Sequence, residues 1–295
     1  LTNKLSGHYI EKNEDIRPFF QKQLEACGVD YFDFYLMHAQ NKDLFAKYKQ
    51  MHAYETVMEL RDEGKIRHFG ISFHDKAEVL DQILTEYPQI EVVQIQFNYV
   101  DYEDTSVESR KCYEVCCKHG KPVIVMEPVK GGNLVRLPED AKAVLDALHG
   151  GSPASYALRF AAGFPGMLMV LSGMSNMEQM QDNISFMQDF RPLNEAEMAA
   201  VERVQEIFHS KHLIPLHLLP LLHRRLSAAH LHSRPVRHHE HQAALSRLER
   251  GLLLQRRPYR ARPQSVRLSQ MRQMRKGLSP ASAHPQAARE CGEGI

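Results

Sequence analysis

Short apolar runs that stop at a polar residue recur along this chain, each separated from the next by a segment of helical period. This rhythm constrains the fold more than any single motif. Its clearest instance is Phe32-Asp33-Phe34-Tyr35-Leu36-Met37, followed by His38. The run is short, apolar and aromatic, so it reads as a strand buried on both faces. Comparable runs span 65–72, 92–97, 122–126 and 167–171, and residues 1–4 look like the end of another. Helical spacing predicts helices over 14–27, 45–61, 76–87, 106–119, 139–148, 153–163, 176–187 and 194–208. Gly28 and Gly120 terminate two of them. Asn194 with Glu197 makes the capping-box pattern that opens the last.

Strict βαβα alternation with apolar strands implies a parallel sheet. The expected fold is α/β, a (β/α)8 barrel type that is incomplete. Six strands are counted, so the first two βα units would lie upstream of Leu1. The strand ends carry Lys4, His38, Ser72, Gln94 to Asn98, Glu127 and Ser172-Gly173. In parallel α/β sheets, ligands sit at that end. Taken alone, His38 fits either a catalytic role or a hydrogen bond to a neighbouring loop.

Charge divides the chain in two. From Ser210 onward there are 16 Lys and Arg against 4 Asp and Glu, out of totals of 37 and 36, which leaves 21 against 32 for residues 1–209. Residues 1–209 are therefore expected to be the barrel, and 210–295 a largely irregular Arg- and His-rich tail. Five cysteines, three of them on one predicted helix (Cys112, Cys116, Cys117), suggest thiols rather than a disulfide framework. With no signal peptide and no apolar run long enough to cross a bilayer, the expected location is cytoplasmic.

The ordered series of motifs resembles the aldo-keto reductase family. It runs through Thr2-Asn3-Lys4, then the stretch from Gly28 to His38, then Gly64-Lys65-Ile66-Arg67-His68-Phe69-Gly70-Ile71-Ser72. It continues through Val93-Gln94-Ile95-Gln96-Phe97-Asn98-Tyr99 and Met126-Glu127-Pro128-Val129-Lys130-Gly131-Gly132. It closes with Val170-Leu171-Ser172-Gly173-Met174-Ser175 and Asp182-Asn183. The resemblance implies NADP(H)- or NAD(H)-dependent carbonyl reduction by hydride transfer on a small carbonyl or quinone-type substrate. It assigns Lys4 and His38 to the catalytic set. The family's tyrosine acid and its aspartate fall on segments that would precede Leu1, so activity is expected to be impaired. Tyr9, in the loop after the first strand, is a weak substitute. Ser72, Gln94, Met126, Gly173, Met174 and Asn183 match cofactor positions. Met126 stands where many members have a stacking aromatic residue, and Gln179 where many have an arginine for the 2′-phosphate. No metal ligands are expected from the cysteine helix.

The tail has one further pattern. Leu216, Leu219, Leu222 and Leu226 are spaced 3, 3, 4 and followed by Ser227; Leu268, Met271, Met274 and Leu278 repeat this before Ser279. Bacterial ferredoxin cysteines have the same spacing and then a proline. A TGY cysteine codon read one base early becomes NTG, which encodes Leu, Met or Val, and TGT-CCN becomes NTG-TCC, Leu-Ser or Met-Ser. The tail is thus expected to be an out-of-frame remnant of a two-cluster ferredoxin-like domain, shifted near Pro215. Some aldo-keto reductase relatives carry such a domain; this chain, without those cysteines, would bind no 4Fe–4S cluster. Alternatives are a non-catalytic dinucleotide-binding pseudoenzyme, nucleic-acid binding through the basic tail, or metal binding by His238, His239 and His241. A tail with Tyr259 as its one aromatic residue is poorly suited to base stacking.

Overall fold

A computed structural model describes residues 1–210, which build one sheet of six strands in sequence order, each parallel to its neighbours. The strands are β1 (Thr2–Leu5), β2 (Phe32–Gln40), β3 (Ile66–Phe73), β4 (Val92–Gln96), β5 (Val123–Met126) and β6 (Met167–Val170). Nine helices connect or follow them: α1 (Ile16–Cys27), α2 (Lys42–Gln50), α3 (Ala53–Asp62), α4 (Ala77–Glu86), α5 (Ser109–Lys118), α6 (Glu139–Asp146), α7 (Pro153–Ala162), α8 (Met177–Met187) and α9 (Glu195–Ser210). This is the expected (β/α)8-type architecture, with β1 and β6 as edges among the described residues. Sequential parallel order follows when every crossover has the same hand.

Strand alternation sorts the apolar side chains into two layers. Tyr35 and Met37 of β2 join the large core beneath the helices, with Phe20, Phe69 and Val93. Leu36 belongs to a separate small cluster with Val92 and Ile124, against which Phe34 packs. Gly70 sits between Leu36 and Val92, with no room for a side chain. A Cβ there would meet Val92 Cγ1 and the Val92 carbonyl at 2.5 Å, and Leu36 Cδ2 at 2.7 Å.

The helix ends follow the sequence signals. Gly28 is left-handed (φ 64°) and its N–H bonds to the Glu25 and Leu24 carbonyls. Asn194 and Glu197 exchange two backbone-to-side-chain bonds of 3.0 Å each, completing the capping box. Glu197 also takes two 2.7 Å bonds from Arg159, a nearly buried pair that clamps α7 to α9.

Two expectations need correction. The single helix expected over 45–61 is two, α2 and α3, broken at Met51-His52 with His52 left-handed (φ 51°). Asn13 makes the break tolerable, because its Nδ2 donates to the Met51 carbonyl at 2.8 Å and, at 3.2 Å, to the His52 carbonyl, which also accepts the Thr56 N–H at the start of α3. Strand β2 also does not stop before His38. It runs on to Gln40 with an irregular register after Met37 and a left-handed Ala39 (φ 53°). There the Ala39 N–H donates to Ser72 Oγ at 2.8 Å. His38 thus rides on a kinked strand end.

The expectations for residues 211–295, including the irregular tail, the ferredoxin spacing and the histidine trio, lie outside the described residues. No helix among the described residues is long and apolar enough to cross a membrane.

Candidate active site

Lys4 pairs in register with Leu36, and Leu5 with Met37, so Lys4 and His38 emerge at the same end of adjacent strands. Neighbouring side chains pin this corner. Gln23 of α1 donates to the Lys4 carbonyl at 3.0 Å and accepts from the Tyr35 hydroxyl at 2.7 Å. The Tyr48 hydroxyl donates to the Leu5 carbonyl at 3.0 Å. Ser6 Oγ lies 2.6 Å from His38 Nδ1, which fixes the ring and leaves Nε2 without a partner among the described residues.

Electrostatics favour a neutral imidazole. Burial lowers the pKa of His38, and the charges of Lys4 and His8 lower it further. Burial also lowers the pKa of Lys4. His74, just past β3, is depressed by burial and then by His38 and Lys4. A neutral ring held through Nδ1 can offer an N–H from Nε2 to a carbonyl oxygen, with a cation nearby to stabilise negative charge that develops there.

The ends of the next three strands continue the wall. Ser72 pairs in register with Gln94, and both are buried. The Ser72 hydroxyl is partly used in holding Ala39. Gln94 places its Nε2 3.2 Å from Met126 Sδ, while its Oε1 is buried with no hydrogen-bond partner among the described residues. An orphaned buried acceptor is costly, so it marks a place where a donor is expected.

Beyond β5 lies a cavity of about 630 Å³, lined among others by Glu127, Val129, Gly132, Arg136, Gly173, Met174, Gln179 and Asn183. Nothing lies within 4 Å of a Cβ built on Gly173. The cavity reaches the start of α8. Asn176 Oδ1 accepts the Gln179 N–H at 2.8 Å, and Gln179 Oε1 accepts the Ser175 N–H at 2.7 Å. Asn183 donates to Ser172 Oγ at 2.9 Å. Arg136 has no ion-pair partner among the described residues, which suits the cavity to an anionic group, as does a helix N-terminus.

The expected site residues therefore fall into three neighbourhoods: Lys4 with His38, Ser72 with Gln94 and Met126, and Gly173, Met174 and Asn183 around the cavity. Tyr9 does not join the first, being 70 % exposed and stacked on Phe19 with ring centroids 5.3 Å apart. Cys112 and Cys116 are buried, and burial pushes the Cys112 thiol up to about 12. The sequence reading passed over Ser6 and His74. Both lie within two residues of a strand end, and a wider view of those ends finds them. It also passed over Arg136 and the buried polar cluster around Asp101, whose partners are scattered over 35 residues.

Comparisons with known proteins bear on this geometry. The Aldo/keto reductase family profile matches residues 2–206. The chain is 25% identical over 216 residues to the NADH-specific methylglyoxal reductase of Escherichia coli K12, covering 63% of this chain and 64% of that protein. Less than two thirds of that relative's length is thus represented. Among solved structures, an aldo-keto reductase of Bacillus halodurans in its holo form superposes with a TM-score of 0.53 at 21% identity, covering 69% of this chain and 70% of the other. One from Klebsiella pneumoniae, in complex with NADPH, gives 0.54 at 20% identity over 69% of each chain. At these identities the structures speak for the fold.

Proposed function

The chain belongs to the aldo/keto reductase family, and from that premise we propose that its strand ends form a nicotinamide-dinucleotide site of an oxidoreductase acting on small carbonyl or quinone-type compounds. The observation that carries the reading is Gln94. Its unpartnered, buried Oε1 stands beside Ser72 and Met126, where the amide of a nicotinamide has two hydrogens to give. The chain's residues fit the group. Ser72 and Gln94 would hold the carboxamide, Met126 would pack on the ring through its thioether, and Gly173, Met174 and Asn183 would line the adenosine end. The bound cofactor would supply the hydride. Its identity, NADP(H) or NAD(H), is left open by Gln179, while Arg136 provides a cation on the cavity wall. The NADPH in the Klebsiella structure and the NADH specificity of the Escherichia coli relative support both options.

Within this chain, His38 would orient the carbonyl through Nε2–H, and Lys4 would supply positive charge beside it. The proton donor is the weak point. The Tyr35 hydroxyl is held by Gln23, and that of Tyr48 by the Leu5 carbonyl. Burial pushes Tyr48 up to about 12, away from the range suited to an acid at neutral pH. Turnover by this chain is therefore expected to be low, because neither hydroxyl at this corner is placed to give a proton to a carbonyl. A fluorescence titration with NADPH and NADH tests binding: saturable quenching is expected, weakened by Gln94→Leu. Steady-state turnover of reactive aldehydes near the typical kcat of about 10 per second would contradict the impairment.

A second proposal concerns the tail. If each Leu or Met of the two 3, 3, 4 sets is a shifted TGY codon, the next codon must begin with C or T. The residues that follow are His217, Pro220, His223, Ser227, Ser269, Arg272, Arg275 and Ser279, all encodable that way. This supports a shifted ferredoxin-like domain with two 4Fe–4S clusters in the intact gene. Resequencing around codon 215 tests it, and an alternative frame without cysteine codons would end it.

A further inference from the structure

Behind the cavity wall lies a buried polar cluster that the proposed chemistry does not use. Asp101 is 1 % exposed. Its Oδ2 accepts from Gln96 Nε2 at 2.7 Å and Asn98 Nδ2 at 2.8 Å, and its Oδ1 pairs with Lys130 Nζ. Asn98 is fully buried. Its Oδ1 accepts the N–H groups of Val100 and Asp101 at 3.1 and 2.9 Å, and its Nδ2 also donates to the Glu127 carbonyl at 3.1 Å.

The turn that this cluster grips is conformationally unusual. Glu127 and Lys130 both have left-handed backbones (φ 56° and 48°), ahead of Gly131 (φ 61°) and Gly132 (φ 92°). Left-handed backbone is unfavourable for residues with a Cβ, and it persists where surrounding contacts over-determine it. Both non-glycine positions are the ones tied to the loop after β4: Glu127 through its carbonyl to Asn98, and Lys130 through its ammonium to Asp101. Glu127, Val129, Gly131 and Gly132 of the same turn line the cavity. The charge arrangement is itself demanding, because a buried carboxylate without its cation is strongly disfavoured.

We propose that Asp101 is a positioning residue: with Asn98 it holds the 127–132 turn in its left-handed form and so sets the wall of the cavity. That this wall grips a dinucleotide rests on the function proposed above; the grip on the turn does not. The experiment uses the full chain with Asp101→Asn, Lys130→Met and Lys130→Arg. Hydrogen exchange is read at the amides of Lys130, Gly132, Asn133 and Leu134, each of which bonds a carbonyl within the turn. NADPH affinity and thermal midpoint are measured on the same samples. Exchange at these amides is expected to accelerate in Asp101→Asn and Lys130→Met while α1 is unchanged. The NADPH Kd is expected to rise about tenfold in both. Lys130→Arg, which keeps the cation, restores both. A lower midpoint in the two disruptive variants with unchanged exchange in the turn overturns the proposal. So does an unchanged NADPH Kd when wild-type protein binds NADPH. If wild-type protein binds none while the turn still loosens, the grip on the turn stands and the cofactor reading fails.

Discussion

The five strands β1 to β5 with their helices and the segment from β6 through α8 both carry regularly spaced apolar residues but end in different environments. In the first, every helix lays an apolar stripe on the sheet, and Phe20, Tyr54, Phe69, Ile83 and Cys116 are buried. In the second, Met167 and Val170 pack against the core, but most of the apolar residues face solvent. Leu168 (49 % exposed) and Met169 (39 %) lie on β6, and Leu171 just beyond it. Met177, Met180, Ile184 and Met187 of α8 recur at helical spacing and are all exposed. Among the described residues, nine of the thirteen exposed large hydrophobic side chains lie between 168 and 190. Apolar periodicity thus specifies a face to be covered but supplies no cover. An uncovered strand edge beside such a helix face is prone to self-association.

This contrast can be tested on both sides. The largest effect is expected in the covered part, β1 to β5. Phe69→Ala removes a fully buried ring from the core and should cost about 3–5 kcal/mol in urea denaturation. A comparable loss, about 3–5 kcal/mol, is expected from Arg159→Met, which strands the nearly buried Glu197 carboxylate without its cation. Should Phe69→Ala be neutral, the covered part is not the stable one. Gly70→Ala, forced against Val92 and Leu36, is expected to cost about 1–3 kcal/mol, measured in the same way.

The site corner has a weaker, pH-dependent signature. His38 and His74 are both depressed below 6.5 in the folded chain, so between the folded and unfolded pKa values the folded state binds fewer protons. Their contribution is present above about pH 6.5 and is lost as pH falls through the folded values. His38→Gln should flatten the decline in denaturation midpoint between about pH 7 and 5; an unaltered profile would place His38 outside this electrostatic cluster. Smallest of all, Ile184→Lys should change stability by less than about 0.5 kcal/mol while reducing self-association in light scattering. Loss of folding in that variant would show that the α8 face is covered after all.

Much of this was legible from the residues. Apolar runs of four to eight residues between helical segments dictated a parallel sheet, and the strands at Phe32, Ile66, Val92, Val123 and Met167 begin within two residues of the expected positions. Capping signals located Gly28 and Asn194. The break at His52 was invisible because its compensation comes from Asn13, distant in sequence. The extension of β2 past His38 was missed for the same reason, since Ser72 supplies the bond that carries it. At the site, single residues at strand ends could be read directly. The Asp101 cluster could not, because its members lie on three segments and only the fold unites them.

The central claim is that the strand ends of β3 to β6 receive a dinucleotide while the apolar α8 face does not. Methionine methyl NMR reports on both regions in one sample. On titration with NADPH, the methyls of Met126 and Met174 should shift saturably, and those of Met180 and Met187 should stay in place. Shifts confined to Met180 and Met187, or no shifts at all, would contradict the account.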